Sequence, residues 1–145
     1  MIFHDSDIVI DLLRQFPPAI GWFDALDEEE EIVLSGFVVM ELIQGCKNKL
    51  EQEKLQKELS IYEIVWPSQN SCNEALNIFT QYYLSHNVGL LDVLIGQTAV
   101  DLGVPLYTFN QKYYLVVPHL QTIQPYQKTG TMPVDNMIVA SSTSS

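Results

Sequence analysis

The sequence predicts a single α/β domain built on a parallel sheet of about five strands, flanked by helices on both faces. Three observations carry that expectation. Short apolar, β-branched segments alternate with longer segments whose apolar residues recur at helical spacing. The length of 145 residues is that of one domain, and hydrophobic residues at 47% are enough for one core.

Residues 1–4, Met-Ile-Phe-His, form the first expected strand. Asp5-Ser6-Asp7 then offers capping side chains ahead of Ile8, Val9, Ile10, Leu12 and Leu13, a helix closed by Pro17-Pro18. Trp22 and Phe23 belong to a short second helix, and the run Asp27-Glu28-Glu29-Glu30-Glu31 reads as its solvated end or a loop. Ile32-Val33-Leu34-Ser35 is the second strand, which Gly36 ends. A helix over 37–45 follows, with Val38, Val39, Leu42 and Ile43 as its buried stripe and Glu41 within that region. A charged helical stretch over 47–59 leads into Ile61-Tyr62-Glu63-Ile64-Val65-Trp66, a third strand halted by Pro67.

Helical spacing of Ala75, Leu76, Phe79, Tyr82 and Tyr83 predicts a helix over 71–86. Asn87-Val88-Gly89 interrupts the chain, and the next helix, 91–102, ends at Gly103. Val104-Pro105-Leu106-Tyr107-Thr108 is the fourth strand, 110–114 a turn or short helix, and 120–123 a brief last strand. Residues 1–126 are expected to form the domain and residues 127–145 a flexible C-terminal tail.

No apolar run approaches the ~20 residues that cross a bilayer. Residues 1–15 carry acids inside their apolar stretch and lack the basic start and small-residue cleavage site of a secretory signal. A soluble, cytoplasmic protein without membrane contact is expected. Cys46 and Cys72 have no CxxC spacing and fall in expected helices, which points to buried thiols rather than a disulfide framework. His4, His86 and His119 have no Ser or Cys partner in a recognisable motif, which gives no support to a nucleophilic triad. His4 is expected to face outward from its strand.

A net charge of −11 runs against a nucleic-acid partner, because phosphate contacts need lysine and arginine. The distribution of the bases matters here. Lys47, Lys49, Lys54 and Lys57 follow Glu41, and Lys112 follows Asn110. These lysines either border a crevice or pair with Glu51, Glu53 and Glu58 on a helix surface, each pair worth about 0.3–0.5 kcal/mol.

In open parallel sheets the functional crevice lies beyond the carboxyl ends of the strands. Asp5 and Asp7 follow the first strand and Asn110 the fourth, while Glu41 and Asp92 lie early in helices near the same edge. Taken singly, Asp5, Asp7 and Asp92 could serve as helix caps and Glu41 could reach solvent. Together, carboxylates in one crevice repel each other, and a divalent cation relieves that repulsion. Oxygen ligands without histidine or cysteine suit Mg²⁺ or Mn²⁺ better than Zn²⁺. Such an ion acidifies water and stabilises charge on a phosphate under in-line attack, which is phosphodiester hydrolysis.

Three motifs stand in a telling order: Asp5-Ser6-Asp7-Ile8-Val9-Ile10-Asp11-Leu12-Leu13-Arg14, Val39-Met40-Glu41-Leu42-Ile43-Gln44-Gly45, and Leu91-Asp92-Val93-Leu94-Ile95-Gly96-Gln97-Thr98-Ala99. The last runs on into Leu102-Gly103-Val104-Pro105-Leu106-Tyr107-Thr108-Phe109-Asn110, with Lys112-Tyr113 behind it. Over residues 1–126 the chain resembles the PIN-domain family, especially the VapC-type toxins. The resemblance implies Asp5, Glu41 and Asp92 as metal-binding catalytic acids and Asn110 as a fourth catalytic member that holds a metal-bound water or the scissile phosphate. It implies that Ser6 orients Asp5, with Asp7 in support. Two positions depart from the family: Asp7 stands where Asn or Ser is usual, and Asn110 where many relatives have Asp.

The same resemblance implies a Mg²⁺- or Mn²⁺-dependent endoribonuclease, the toxin of a toxin–antitoxin pair, with an RNA substrate, a cognate antitoxin and a homodimeric state. Lys47, Lys49 and Lys112 are the candidate RNA contacts. The alternative is a catalytically inactive PIN-like protein- or RNA-binding module, which Asp7 and Asn110 favour. A small-molecule phosphohydrolase would leave Glu41 and the Asp92 motif without a role.

Overall fold

The computed structural model describes residues 1–128; from residue 129 onward the expected tail lies outside the described residues. Five strands form one sheet: β1 (Ile2–His4), β2 (Ile32–Ser35), β3 (Glu63–Val65), β4 (Leu106–Tyr107) and β5 (Thr122–Ile123). Their order is β3-β2-β1-β4-β5 and every pairing is parallel. Parallel neighbours need crossovers, which the helices supply. These are α1 (Ser6–Leu13), α2 (Pro17–Asp24), α3 (Gly36–Gln44), α4 (Lys49–Glu58), α5 (Gln69–His86) and α6 (Leu90–Leu102).

All three residues of β1 are buried. Side chains alternate between the two faces of a strand, so both faces are covered at the sheet centre. The main core joins Phe3, Val33, Leu34 and Leu106 from the sheet to Val9, Val38 and Ile95 from the helices. A second cluster joins Ala75 and Ile78 of α5 to Val93 of α6 and to Val88 and Val117. From β1 the chain builds outward through β2 to β3, then crosses to the other side of β1 for β4 and β5. That reversal places a crevice at the carboxyl end of β1, beside β4.

Four strands are shorter than the sequence predicts: β1 starts at Ile2 and β5 at Thr122, and for the third and fourth the local hydrogen bonding gives the reason. Leu59–Ile61 closes into a 3-10 turn, so the third strand starts at Glu63. Val104 donates its N–H back to Ala99 across the left-handed Gly103 cap, and Pro105 has no N–H to give, so pairing in β4 begins only at Leu106. Both cysteines are free and neither is buried as expected: Cys46 is half-buried just past the end of α3, and Cys72 is exposed because it lies one residue off the Ser71, Ala75, Ile78 stripe of α5. Among the described residues no helix is long and apolar enough to cross a membrane.

His4 does not face outward, since a central strand covered on both sides has no outward face. Its ring meets Tyr62 edge-on at 5.2 Å and Trp22 at 6.1 Å, and neither ring nitrogen has a hydrogen-bond partner. Burial lowers its pKa to about 4, against a smaller opposing effect of the Asp5 backbone. The unfolded chain takes up this proton more readily, so the stability is present above the unfolded value and lost as pH falls toward 4. Such a difference corresponds to about 3 kcal/mol. Urea denaturation of His4→Leu and wild type from about pH 7 to about pH 4.5 is expected to show the variant gaining most of that amount relative to wild type. Parallel pH profiles would show that this ring does not carry the acid sensitivity.

Candidate active site

Asp5 leaves the end of β1 as the N-cap of α1. Its Oδ1 accepts the Ser6 N–H at 2.8 Å, with the Ser6 hydroxyl at the limit of 3.5 Å, so Ser6 holds the carboxylate chiefly through its backbone. Oδ2 accepts the Thr108 hydroxyl at 3.0 Å and the Tyr114 hydroxyl at 2.6 Å. The carboxylate is buried, and this set of donors compensates its lost hydration. Neither Thr108 nor Tyr114 stands out in the sequence as a site residue, because each reaches Asp5 across more than a hundred positions of chain.

Asp7 has a different task. Its Oδ1 accepts the Ile8 N–H at 2.8 Å, and its Oδ2 accepts the Phe109 N–H at 2.8 Å and the Asn110 side-chain amide at 3.4 Å. It therefore fastens the loop leaving β4 to the start of α1. Asn110 is held there by that contact and by its own N–H to the Thr108 hydroxyl at 3.0 Å, while its Oδ1 is buried without a partner. An acceptor left open in a buried place is suited to a bound water or a ligand donor.

Glu41 comes from α3, which starts as β2 ends and is capped by the Ser35 hydroxyl on the Phe37 N–H at 3.1 Å. Asp92 lies in the first turn of α6, where its carboxylate folds over Gly89; a Cβ there would meet Asp92 Oδ2 at 2.5 Å. Both groups are half-buried and both feel Asp5. Burial, then Asp5, then Asp92 push Glu41 up to about 7. Burial and Asp5 also raise Asp92, with the Tyr114 hydroxyl acting the other way. Asp7 is pushed up to about 6 by burial and by Asp5, against its hydrogen bonds and Lys128.

Asp5, Glu41 and Asp92 thus lie within reach of one another's charge. Even so, among the described residues no group of three or more His, Cys, Asp or Glu side chains stands at metal-ligating spacing. The two observations concern different distances. Carboxylates repel over several ångströms, whereas Mg²⁺ binds its oxygens at about 2.0–2.1 Å, a closer gathering than these side chains make. The donors are oxygens throughout, with Asn110 Oδ1 as an open acceptor nearby in the loop, a set that fits Mg²⁺ or Mn²⁺ and not a thiolate- or imidazole-loving ion.

Two further residues attach to this face. Tyr126 donates its hydroxyl to Asp11 Oδ2 at 2.7 Å, and Lys128 pairs with the same oxygen at 3.1 Å while lying 4.3 Å from the Phe109 ring centre. The predicted domain end at 126 is therefore followed by a lysine docked on α1. Of the lysines expected to contact RNA, Lys112 lines a cleft with Asp92, and Lys47 and Lys49 are exposed in the connection after α3 and at the start of α4. Among the described residues none of Lys47, Lys49, Lys54 and Lys57 forms an ion pair with Glu51, Glu53 or Glu58.

Tyr114 is a positioning residue for Asp5. Tyr114→Phe removes one donor to a buried carboxylate, and thermal or urea denaturation is expected to show a loss of about 1.5–3 kcal/mol. A loss below about 0.5 kcal/mol would mean that water replaces the hydroxyl and that the contact does not hold Asp5.

The PIN domain family profile matches residues 2–117. Ribonuclease VapC19 of Mycobacterium tuberculosis is 28% identical over 121 residues, which cover 81% of this chain and 94% of that protein. Among solved structures, a toxin–antitoxin complex from Klebsiella pneumoniae aligns with a TM-score of 0.68 at 24% identity, covering 87% of this chain and 98% of that one. VapBC-1 from nontypeable Haemophilus influenzae aligns with a TM-score of 0.69 at 21% identity, covering 85% and 97%. With a family match over most of its length, the chain belongs to the PIN domain family.

Proposed function

We propose that this protein is a metal-dependent endoribonuclease, the toxin of a toxin–antitoxin pair. The observation that carries the reading is the mutual charge coupling of Asp5, Glu41 and Asp92, three acids from three elements, at the crevice where the strand order reverses. Keeping such acids together is costly without a counter-charge, and function is the usual reason for strongly raised carboxyl groups in a crevice. The relative named as a ribonuclease agrees with this chemistry.

Asp5, Glu41 and Asp92 would hold Mg²⁺ or Mn²⁺, and the ion, when bound, would acidify a water and neutralise charge on the phosphate. The chain's own groups do the rest. Thr108 and Tyr114 fix Asp5 so that it enters the site in one rotamer. Asp7 anchors the Phe109-Asn110 loop, which sets the open Asn110 Oδ1 in position to accept a hydrogen bond from the attacking water. With its carboxylate engaged by backbone N–H groups, Asp7 adds less repulsion toward RNA than its sequence position alone suggests, which weighs against the inactive binding module.

The partners follow from chemistry. A crevice of half-buried acids in a chain of net charge −11 suits an antitoxin arm carrying arginine, whose guanidinium pairs with carboxylates bidentately. Structural neighbours described as toxin–antitoxin complexes agree with such a partner. A homodimer held by helices of the first half is the state that the family resemblance implies.

Purified protein, free of any antitoxin, is expected to cleave tRNA or mRNA in Mn²⁺ or Mg²⁺ and to lose that activity in EDTA. RNA left intact in both conditions would favour the binding module. Cleavage unaffected by EDTA would remove the cation from the account.

A further inference from the structure

Asp11 takes no part in the acid group, yet two side chains converge on it from beyond β5. The Tyr126 hydroxyl at 2.7 Å and the Lys128 ammonium at 3.1 Å share its Oδ2. Both residues lie past residue 117, where the family match ends. The sheet fixes their route. β5 runs parallel to β4, and the Ile123 carbonyl accepts the Thr108 N–H at 2.9 Å, so the chain leaves β5 at the same carboxyl edge that carries Asp5. In strand order β4 lies between β5 and β1, and α1 follows β1, so residues 124–128 pass over the end of β4 to reach α1.

What they pass over is the loop that begins at Phe109. The Tyr126 ring meets the Phe109 ring at 4.8 Å, with Trp22 and Phe16 further out at 6.1 and 6.3 Å. The Lys128 ammonium, 4.3 Å from the Phe109 ring centre, is at cation–π distance. Phe109 is thus held from two directions, by its ring from residues 126–128 and by its N–H from Asp7 at 2.8 Å. Asp7 and Asp11 are four residues apart on α1 and share one face of it, so both holds bear on the same helix surface. Asn110 follows Phe109 directly and carries the buried, open Oδ1.

These contacts are stronger than those of an ordinary surface pair. The Lys128 and Asp11 side chains are 16% and 14% exposed, so solvent and salt screen them less than an exposed pair. Two donors on one carboxylate oxygen, one of them charged, are charge-assisted bonds. Among the described residues Lys128 is also the one lysine or arginine in an ion pair.

We infer that Tyr126 and Lys128 are positioning residues: by gripping Asp11 and the Phe109 ring they hold the loop after β4 against α1, and so set Asn110 Oδ1 in the site. The effect on cleavage rests on the ribonuclease reading; the hold on the loop rests on the contacts alone.

Full-length Tyr126→Phe, Lys128→Gln and Lys128→Arg are compared with wild type by amide hydrogen exchange of the metal-free protein, read by NMR, and by RNA cleavage in Mn²⁺. Tyr126→Phe and Lys128→Gln are each expected to speed exchange of the Phe109 N–H about 5–20-fold, while Ile78 and Ile95 in the middle of α5 and α6 stay within about twofold. Both should lower kcat about 3–10-fold with KM within about twofold, and Lys128→Arg, which keeps the charge, should stay within about twofold of wild type in every reading. Equal acceleration at Phe109, Ile78 and Ile95 would reduce the segment to general stabilisation and overturn the inference, as would no change at Phe109. An unchanged kcat in Lys128→Gln would overturn it too, and a raised KM there would mark Lys128 as a phosphate contact instead. A wild type that cuts no RNA, with the selective acceleration at Phe109 still seen in the variants, would refute the ribonuclease reading and leave the hold on the loop standing.

Discussion

Asp5→Asn is expected to lower metal-dependent RNA cleavage by about a thousandfold or more while leaving a folded protein. Asp5 is the acid whose charge acts on each of Asp7, Glu41 and Asp92, and it is the one held most rigidly. The amide keeps the shape and can still accept the Ser6 N–H, so the cap on α1 survives. The Thr108 and Tyr114 hydroxyls can turn from donors into acceptors, and removing a buried charge from a repelling group offsets much of what is lost. Initial cleavage rates in Mn²⁺, read beside the thermal melting of wild type and variant, check this. A variant that melts normally and retains more than about a tenth of the wild-type rate would remove Asp5 from the reaction.

Mn²⁺ is expected to stabilise the protein, and to do so more strongly as pH rises from about 5 to about 8. The sign follows from the raised acids. A carboxyl group whose folded pKa lies above its unfolded value contributes stability below the unfolded value and loses it as pH rises through the folded one. For Glu41 that loss runs from the ordinary value of 4.5 to completion near 7 and for Asp7 from 3.8 to completion near 6, as the charges come into mutual repulsion. His4 changes stability in the opposite sense over part of the same range, so the shift on adding metal is more telling than the melting temperature itself. A cation competes with the proton on Glu41, so affinity should fall about tenfold per pH unit below 7 for one proton displaced. At a hundred times its dissociation constant the ion adds about 2.7 kcal/mol, or roughly 10 °C for a domain of this size. Glu41→Gln should flatten the pH dependence. A melting temperature that Mn²⁺ leaves unchanged at pH 8 would mean that the acids do not form a cation site.

Much of the fold is legible in the sequence because local pattern and tertiary demand coincide. Ile32-Val33-Leu34-Ser35 opens on two β-branched residues and lies inside the sheet between β3 and β1, and it is a strand over its whole predicted length. Gly103 closes α6 in the left-handed conformation expected of it. The discrepancies come from elements whose edges depend on neighbours. A 3-10 turn takes the start of the third strand, and a helix cap takes Val104 from the fourth.

The site divides along the same line. Asp5, Asp92 and Asn110 are marked as candidates by their places after strands or in the first turn of a helix, and Glu41, sixth in α3, only by its motif. Tyr114, Thr108 and the Tyr126–Lys128 contacts with Asp11 are not marked, because a hydroxyl or ammonium that reaches an acid a hundred residues away leaves no local periodicity. Burial misleads in the same way at His4, whose polar ring suggests solvent while the sheet order puts its strand in the middle.

A crystal of the protein soaked in Mn²⁺, with data collected at the manganese absorption edge, locates the cation directly. One anomalous peak is predicted at the carboxyl end of β1, bound by Asp5 and reached by Glu41 and Asp92 either directly or through one water. A peak elsewhere, or full Mn²⁺ occupancy with Glu41 and Asp92 turned away from it, would contradict the gathering of these three acids on one ion.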